Sequence, residues 1–203
     1  MVEATEHPRP AAMTAEISPT RSGSVEGRDV FVFDGLLSNT DLAQYVEALE
    51  RAPFTRTEFA KNETSEYKHW VSELPLANVT QLPLWPSTER AVALARPGEH
   101  YRPYRAYTNY SAYGDMLYTH SDCPPEKREL TALWFLSRTW EPEWGGETMF
   151  FDASGDAMFC ASPKPGRLVL FDGAIPHVGR PPSRICFTPR FTFAIKLAPV
   201  TAS

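Results

Sequence analysis

The sequence predicts a mainly β protein, a sandwich or barrel of antiparallel strands with helices ahead of it. From residue 99 onward, seven or eight short β-prone runs are divided by Gly, Pro, Asp and Ser, the spacing of an antiparallel sandwich or barrel. The last run alternates cleanly: Phe191, Phe193, Ile195 and Leu197 on one face, Arg190, Thr192, Ala194 and Lys196 on the other, so one face turns to a core and the other carries cations and a hydroxyl. Two stretches before residue 99 repeat apolar residues at helical spacing.

Residues 1–27, rich in Pro, Ser, Thr, Glu and Ala without apolar period, read as a disordered tail that buries too little to offset its ordering entropy. A single domain, 28–203, follows, its core spanning 99–198. Order is expected to begin at the strand DVFVFDGLL. In SNTDLAQYVEALERA, Ser38 to Asp41 offer N-caps and Leu42, Tyr45, Val46 and Leu49 form a helical stripe. The segment Pro53–Pro83 scatters aromatics among charges and suits irregular strands and a long loop. A second helix is expected to start near Ser87 and stop at Pro97-Gly98. The strand runs after it are HYRPYRAYTNYSAY, MLYTHSD, ELTALWFLS, GGETMFFD, DAMFCASP, RLVLFDG and RFTFAIKL.

At 203 residues the chain suits one domain with a real core. Its net charge of −5 shows no basic excess for nucleic-acid phosphates or anionic lipid, so neither nucleic acid nor membrane is an expected partner. The N-terminal stretch lacks the charged and apolar regions of a secretory signal, which points to a cytoplasmic protein. Cys123, Cys160 and Cys186 form no paired motif and read as reduced structural thiols. The glycosylation patterns at Asn62 and Asn78 read as chance matches.

His120 and Asp122, in YTHSD, stand one residue apart at a strand end, where solvated polar residues are the common alternative to a metal site. In PHVGRPP, His177 follows RLVLFDG after a turn, where a returning strand can lie beside the first pair. Two histidines and one carboxylate would then bind one side of a metal and leave three positions open, which suits Fe(II) with a bidentate co-substrate and O₂. A structural zinc site would need a fourth protein ligand. Arg190 and Thr192 share a face of the last strand, where a guanidinium and a hydroxyl can hold the far end of a chelating dicarboxylate.

These motifs resemble the 2-oxoglutarate and Fe(II)-dependent dioxygenases, prolyl-4-hydroxylase-like group. The resemblance runs over residues 99–197, through YTNYSAYGDMLYTHSD, ELTALWFLSRTWEPEWGGETMFFD, KPGRLVLFDGAIPHVGRP and RFTFAIKL. It implies a double-stranded β-helix (jelly roll, cupin-like) with N-terminal helices packed on one sheet. It further implies His120, Asp122 and His177 as iron ligands, and Arg190, Thr192 and Tyr110 as 2-oxoglutarate contacts, a core tyrosine being the alternative for Tyr110. Relatives place the co-substrate cation nine or ten residues after the distal histidine, where this chain has Cys186 and Phe187. Arg190, in a well-formed strand, is chosen over Arg184, in a Pro- and Ser-rich connection. Phe135 stands where some relatives have a co-substrate tyrosine.

Among smaller features, His69-Trp70 reads as a packing anchor or a substrate contact at the mouth of the site. Asp172 reads as a turn residue or a support for His177, and Trp140–Trp144 as a solvated loop. The function implied is oxidation of an unactivated C–H bond with release of succinate and CO₂, by hydroxylation or by ring closure or desaturation, with Fe(II), 2-oxoglutarate and O₂, and ascorbate as a candidate reductant. Asp122 argues against a halogenase, whose halide site takes the place of that carboxylate. The expected substrate is a small molecule, an amine-bearing natural product such as an aminoglycoside, or an amino acid. The alternatives are a peptidyl-prolyl hydroxylase and a non-catalytic cupin-like binding module, and nothing in the sequence sets the oligomeric state.

Overall fold

A computed structural model describes residues 17–200. Two strands, Arg21–Val25 (β1) and Arg28–Phe33 (β2), form a hairpin. Its turn, Glu26-Gly27, takes positive φ at both residues, 49° and 77°, as a two-residue turn between twisted strands requires. The expected tail is corrected here, because residues 17–27 belong to the fold. Pairing with β2 and burial of Val25, 2 % exposed, supply long-range contacts that local composition does not reveal. The rest of the expected tail, 1–16, lies outside the described residues.

The first helix, Asn39–Glu50 (α1), is capped by Ser38, whose hydroxyl accepts the Asp41 N–H at 3.0 Å. The mixed segment holds Thr55–Glu58 (β3), His69–Glu73 (β4) and the single turn Leu76–Val79 (α2). Trp85–Ala95 (α3) begins two residues before the expected Ser87, since Pro86 lacks only an N–H that the first helical turn leaves unpaired anyway. The later strands are Tyr101–Ser111 (β5), Leu130–Phe135 (β6), Thr148–Phe151 (β7), Ala157–Ala161 (β8), Leu168–Asp172 (β9), His177–Gly179 (β10) and Arg190–Pro199 (β11). MLYTHSD forms no strand. Only His120 pairs there, as an isolated bridge to His177.

The larger sheet runs β1-β2-β9-β6-β11-β5-β4-β3 and the smaller β10-β7-β8, every named pair antiparallel. On the outer face of the larger sheet, Phe191, Phe193, Ile195 and Leu197 join Trp134, Leu168 and Leu170 in a core shared with Leu42 and Val46 of α1 and Ala91 and Val92 of α3. A second core, with Phe135, Phe150, Val169 and Phe171, fills the space between the sheets. This is the double-stranded β-helix with helices backing one sheet. Among the described residues no helix is long and apolar enough to cross a membrane.

Candidate active site

Backbone pairing brings the two ends of the site together. The His120 N–H donates to the His177 carbonyl at 3.0 Å and the His177 N–H to the His120 carbonyl at 2.8 Å. The Asp122 N–H donates to the Gly173 carbonyl at 2.7 Å. Gly173 permits this approach, since a Cβ there would meet Cys123 Sγ at 3.1 Å, the Glu129 carbonyl at 3.3 Å and Asp122 Cβ at 3.4 Å. The pairing sets His120 and Asp122 on the same side of their segment as His177, and the three groups' ligand atoms lie within 4.8 Å of one another.

Each histidine's Nδ1 faces a main-chain carbonyl, His120 that of Tyr118 at 3.0 Å and His177 that of Ile175 at 2.9 Å. A carbonyl only accepts, so both rings carry a proton on Nδ1, which leaves Nε2 as the nitrogen that can bind a metal. Burial pushes the His177 imidazole down to about 4, which keeps it neutral at pH 7. The Nε2 atoms of His120 and His177 face Asp122 Oδ1 and Oδ2 at 3.5 Å and 3.7 Å. Two imidazole Nε2 atoms and a carboxylate converging this closely fit a divalent cation bound between them.

Asp122, its side chain 7 % exposed, would have its carboxyl pushed up by burial alone, but the Lys196 ammonium, together with the neighbouring imidazoles, outweighs burial and holds it well below the usual range. Its Oδ2 accepts the Thr131 hydroxyl at 2.6 Å and the Lys196 ammonium. Lys196 Nζ also reaches Thr131 Oγ1 at 3.2 Å, directly across from it on β6.

At the other end of β11, Arg190 is 2 % exposed. Its Nε donates to the Gly146 carbonyl at 2.6 Å, Nη1 to Thr192 Oγ1 at 3.3 Å and Nη2 to Thr148 Oγ1 at 3.0 Å, while Cζ lies 5.2 Å from the centre of the Phe135 ring. Phe135 therefore supports the guanidinium face. Burial pushes the guanidinium down to about 10, Glu147 offsetting part of the cost. Arg190, Thr192, Thr148, Asn109, Lys196 and all three clustered groups line one cavity of about 300 Å³. On its wall Asn109 Oδ1 and His69 Nδ1, and beside Arg190 on β5 Ser111 Oγ, are buried without a hydrogen-bond partner among the described residues.

Tyr110 is elsewhere, and its expected co-substrate contact is corrected. It lies across from Phe191, with ring centroids 5.7 Å from both Phe191 and Phe54, in the helix-side core. Alternation along β5 gives the inner face to Arg105, Tyr107, Asn109 and Ser111, partners of Lys196, Ala194, Thr192 and Arg190. Arg184 is exposed and does not line the cavity. Asp172 ends β9, and its Oδ1 accepts the Ala174 N–H of the turn that follows at 3.0 Å. His69 is buried and lines the cavity, whereas Trp70 is half-buried. The sequence reading missed Thr131, Thr148 and the use made of Lys196. The signal available for Lys196 was its parity with Arg190 and Thr192, an odd place for a charge inside a buried strand.

Residues 106–195 match the family model described as the 2OG-Fe(II) oxygenase superfamily. No curated protein matches the chain. Among solved structures it is similar to a prolyl-4-hydroxylase of Pseudomonas putida, with 19 % identity and TM-score 0.57 over 83 % of this chain and 92 % of that one. It is similar to a Trichoplax adhaerens prolyl hydroxylase in complex with a hypoxia inducible factor peptide fragment, with 16 % identity and TM-score 0.62 over 83 % of each chain. HygX of Streptomyces hygroscopicus, with nickel and 2-oxoglutarate bound, shares 14 % identity at TM-score 0.62 over 86 % of this chain and 84 % of its own. These likenesses are of fold, whereas the family match spans the clustered histidines and aspartate and the arginine strand. Over residues 106–195 the chain is thus similar to the 2OG-Fe(II) oxygenase superfamily, and in fold to the prolyl hydroxylases.

Proposed function

We propose that His120, Asp122 and His177 hold Fe(II), that Arg190 with Thr192 and Thr148 binds the distal carboxylate of 2-oxoglutarate, and that the enzyme oxidises an unactivated C–H bond of a small molecule. In the hydroxylation case substrate, 2-oxoglutarate and O₂ become alcohol, succinate and CO₂. Bound iron supplies the centre where 2-oxoglutarate and O₂ meet.

The observation that carries this reading is Arg190. It is 2 % exposed and, among the described residues, no carboxylate pairs with it. Its hydrogen bonds to Gly146, Thr192 and Thr148 use three of the five N–H groups of a guanidinium. Glu147 offsets only part of the burial cost, and a buried cation without a directly paired carboxylate costs on the order of several kcal/mol. A bidentate dicarboxylate end offsets that cost and takes up the remaining donors. Asn109 Oδ1 and Ser111 Oγ, unpartnered on the strand beside Arg190 and Thr192, provide further polar contacts for a bound molecule.

A small-molecule substrate suits a cavity of about 300 Å³ whose walls include the Glu58–Arg105 pair, at 2.6 Å, and His69. The proposed substrate is an amine-bearing natural product or an amino acid, whose polar groups these walls can meet. A peptidyl-proline substrate draws on fold likeness to prolyl hydroxylases, one with a bound peptide fragment.

The test is anaerobic titration with Fe(II) and 2-oxoglutarate, then admission of air with a panel of amines, amino acids and proline peptides. The expected result is succinate equimolar with a product that has gained one oxygen atom or lost two hydrogens. His177→Ala should abolish metal binding. Arg190→Met should weaken 2-oxoglutarate about 30-fold or more, the cost of truncating one partner of a buried charged pair, without weakening Mn(II) binding. Absence of succinate with every panel member, together with wild-type 2-oxoglutarate affinity in Arg190→Met, would overturn the reading.

A further inference from the structure

Lys196 is 6 % exposed, yet it lines the cavity at the opposite end of β11 from Arg190. Three contacts define its place. The ammonium meets Asp122 Oδ2, donates to Thr131 Oγ1 at 3.2 Å and lies 5.9 Å from the centre of the Tyr107 ring. Thr131 in turn donates to the same Oδ2 at 2.6 Å. One carboxylate oxygen has room for about two hydrogen bonds, and Oδ2 receives two. Oδ1 lies 3.5 Å from His120 Nε2 and Oδ2 3.7 Å from His177 Nε2. Both oxygens thus stand near an imidazole nitrogen, but they are unequal, because only Oδ2 is already saturated by β6 and β11.

We infer that Lys196, with Thr131, is a positioning residue that reserves Asp122 Oδ2, so that Asp122 gives the metal Oδ1 alone and leaves the co-substrate's positions open. This rests on the reading of His120, Asp122 and His177 as metal ligands. A carboxylate free to turn can offer both oxygens to one cation, as carboxylates do in flexible sites. Here that turn would break a buried ion pair and a short hydrogen bond at once. Because Lys196 and Thr131 are cross-strand partners in the middle of the larger sheet, the pair that restrains Asp122 is held by backbone pairing on both strands. The ammonium also opposes a second cation nearby. Its presence therefore trades metal affinity for a defined ligand geometry.

The experiment compares wild type with Lys196→Met, Lys196→Arg and Thr131→Val. Mn(II) affinity is read from the resonance of the free ion, 2-oxoglutarate affinity by calorimetry on Mn(II)-loaded protein, and ligand geometry from the Co(II) absorption spectrum. Lys196→Met should bind Mn(II) at least as tightly as wild type, because repulsion is removed and a second oxygen freed. Its 2-oxoglutarate affinity should fall about tenfold, the low end of what loss of an outer contact to a ligand brings, and its Co(II) spectrum should change before any co-substrate is added. Lys196→Arg should restore both readings, and Thr131→Val should shift them the same way by less.

A purely structural lysine predicts otherwise: a lower melting temperature with unchanged 2-oxoglutarate affinity and Co(II) spectrum, and that result overturns the inference. Weaker Mn(II) binding in both Lys196→Met and Thr131→Val overturns it as well. If Lys196→Met does not fold, Thr131→Val and Lys196→Arg decide it on the same readings. Failure of the wild type to bind Mn(II) and 2-oxoglutarate together would instead sink the proposed function.

Discussion

Single atoms carry most of the chemistry here. The Nδ1 protons of His120 and His177 are set by two main-chain carbonyls, and a carbonyl cannot donate, so no charged residue is needed to hold the tautomer. Arg190 is shaped in the same way by what surrounds it. A Cβ on Gly179 would stand 3.3 Å from both Arg190 Nη1 and Nη2, on a guanidinium already held by Gly146, Thr148 and Thr192. Gly179→Ala should therefore tilt the fork and lose about one hydrogen bond to the co-substrate, about tenfold in Kd. Calorimetry on metal-loaded protein checks this, and an unchanged affinity would show that Nη1 and Nη2 do not face the dicarboxylate.

At the scale of elements, β11 acts as a ruler. Its inner positions place Arg190, Thr192 and Lys196 along one cavity, and its outer positions hold the helix-side core. The sheet under the site is braced from behind by α3, where Thr88 Oγ1 accepts the Trp134 indole N–H at 3.1 Å and donates to the Leu84 carbonyl at 3.0 Å. Thr88 and Trp134 are both fully buried. Thr88→Val keeps the shape and removes the acceptor, so it should destabilise the protein by about 1–3 kcal/mol, the cost of an unsatisfied buried donor. Urea unfolding followed by tryptophan fluorescence measures it.

For the whole molecule, two cores on opposite faces of the larger sheet divide the work: one closes against helices, the other surrounds the site. Burying imidazoles in that inner layer has a consequence for pH. Burial holds His177 at about 4 and lowers His69, which has Glu58, His120, Asp115 and Arg105 around it. An unfolded histidine takes up its proton near pH 6.5, about the ordinary value. Between that pH and the folded values the unfolded chain binds more protons, so stability falls as pH drops. In chelator-treated protein the urea midpoint should fall from pH 7.5 to pH 5, and His69→Gln should flatten that slope. A slope unchanged by the substitution would show that His69 is not held neutral.

The sequence by itself determined the β class, a cap for α1 within Ser38 to Asp41 and the two faces of β11, because these depend on local period and local capping, and its short motifs singled out His120, Asp122 and His177, whose ligand atoms lie within 4.8 Å of one another. The residues that complete the cavity were legible only in part. Lys196 and Thr131 carry no local sign of pairing with Asp122, and residues 17–27 carry no local sign of order. Tyr110 looked equivalent to its tyrosine neighbours until β5 paired with β11 and β4. A strand's alternation separates its two faces without saying which is which, and only cross-strand register, formed by residues far apart in the chain, turned Asn109 and Ser111 toward the site and Tyr110 toward the helices.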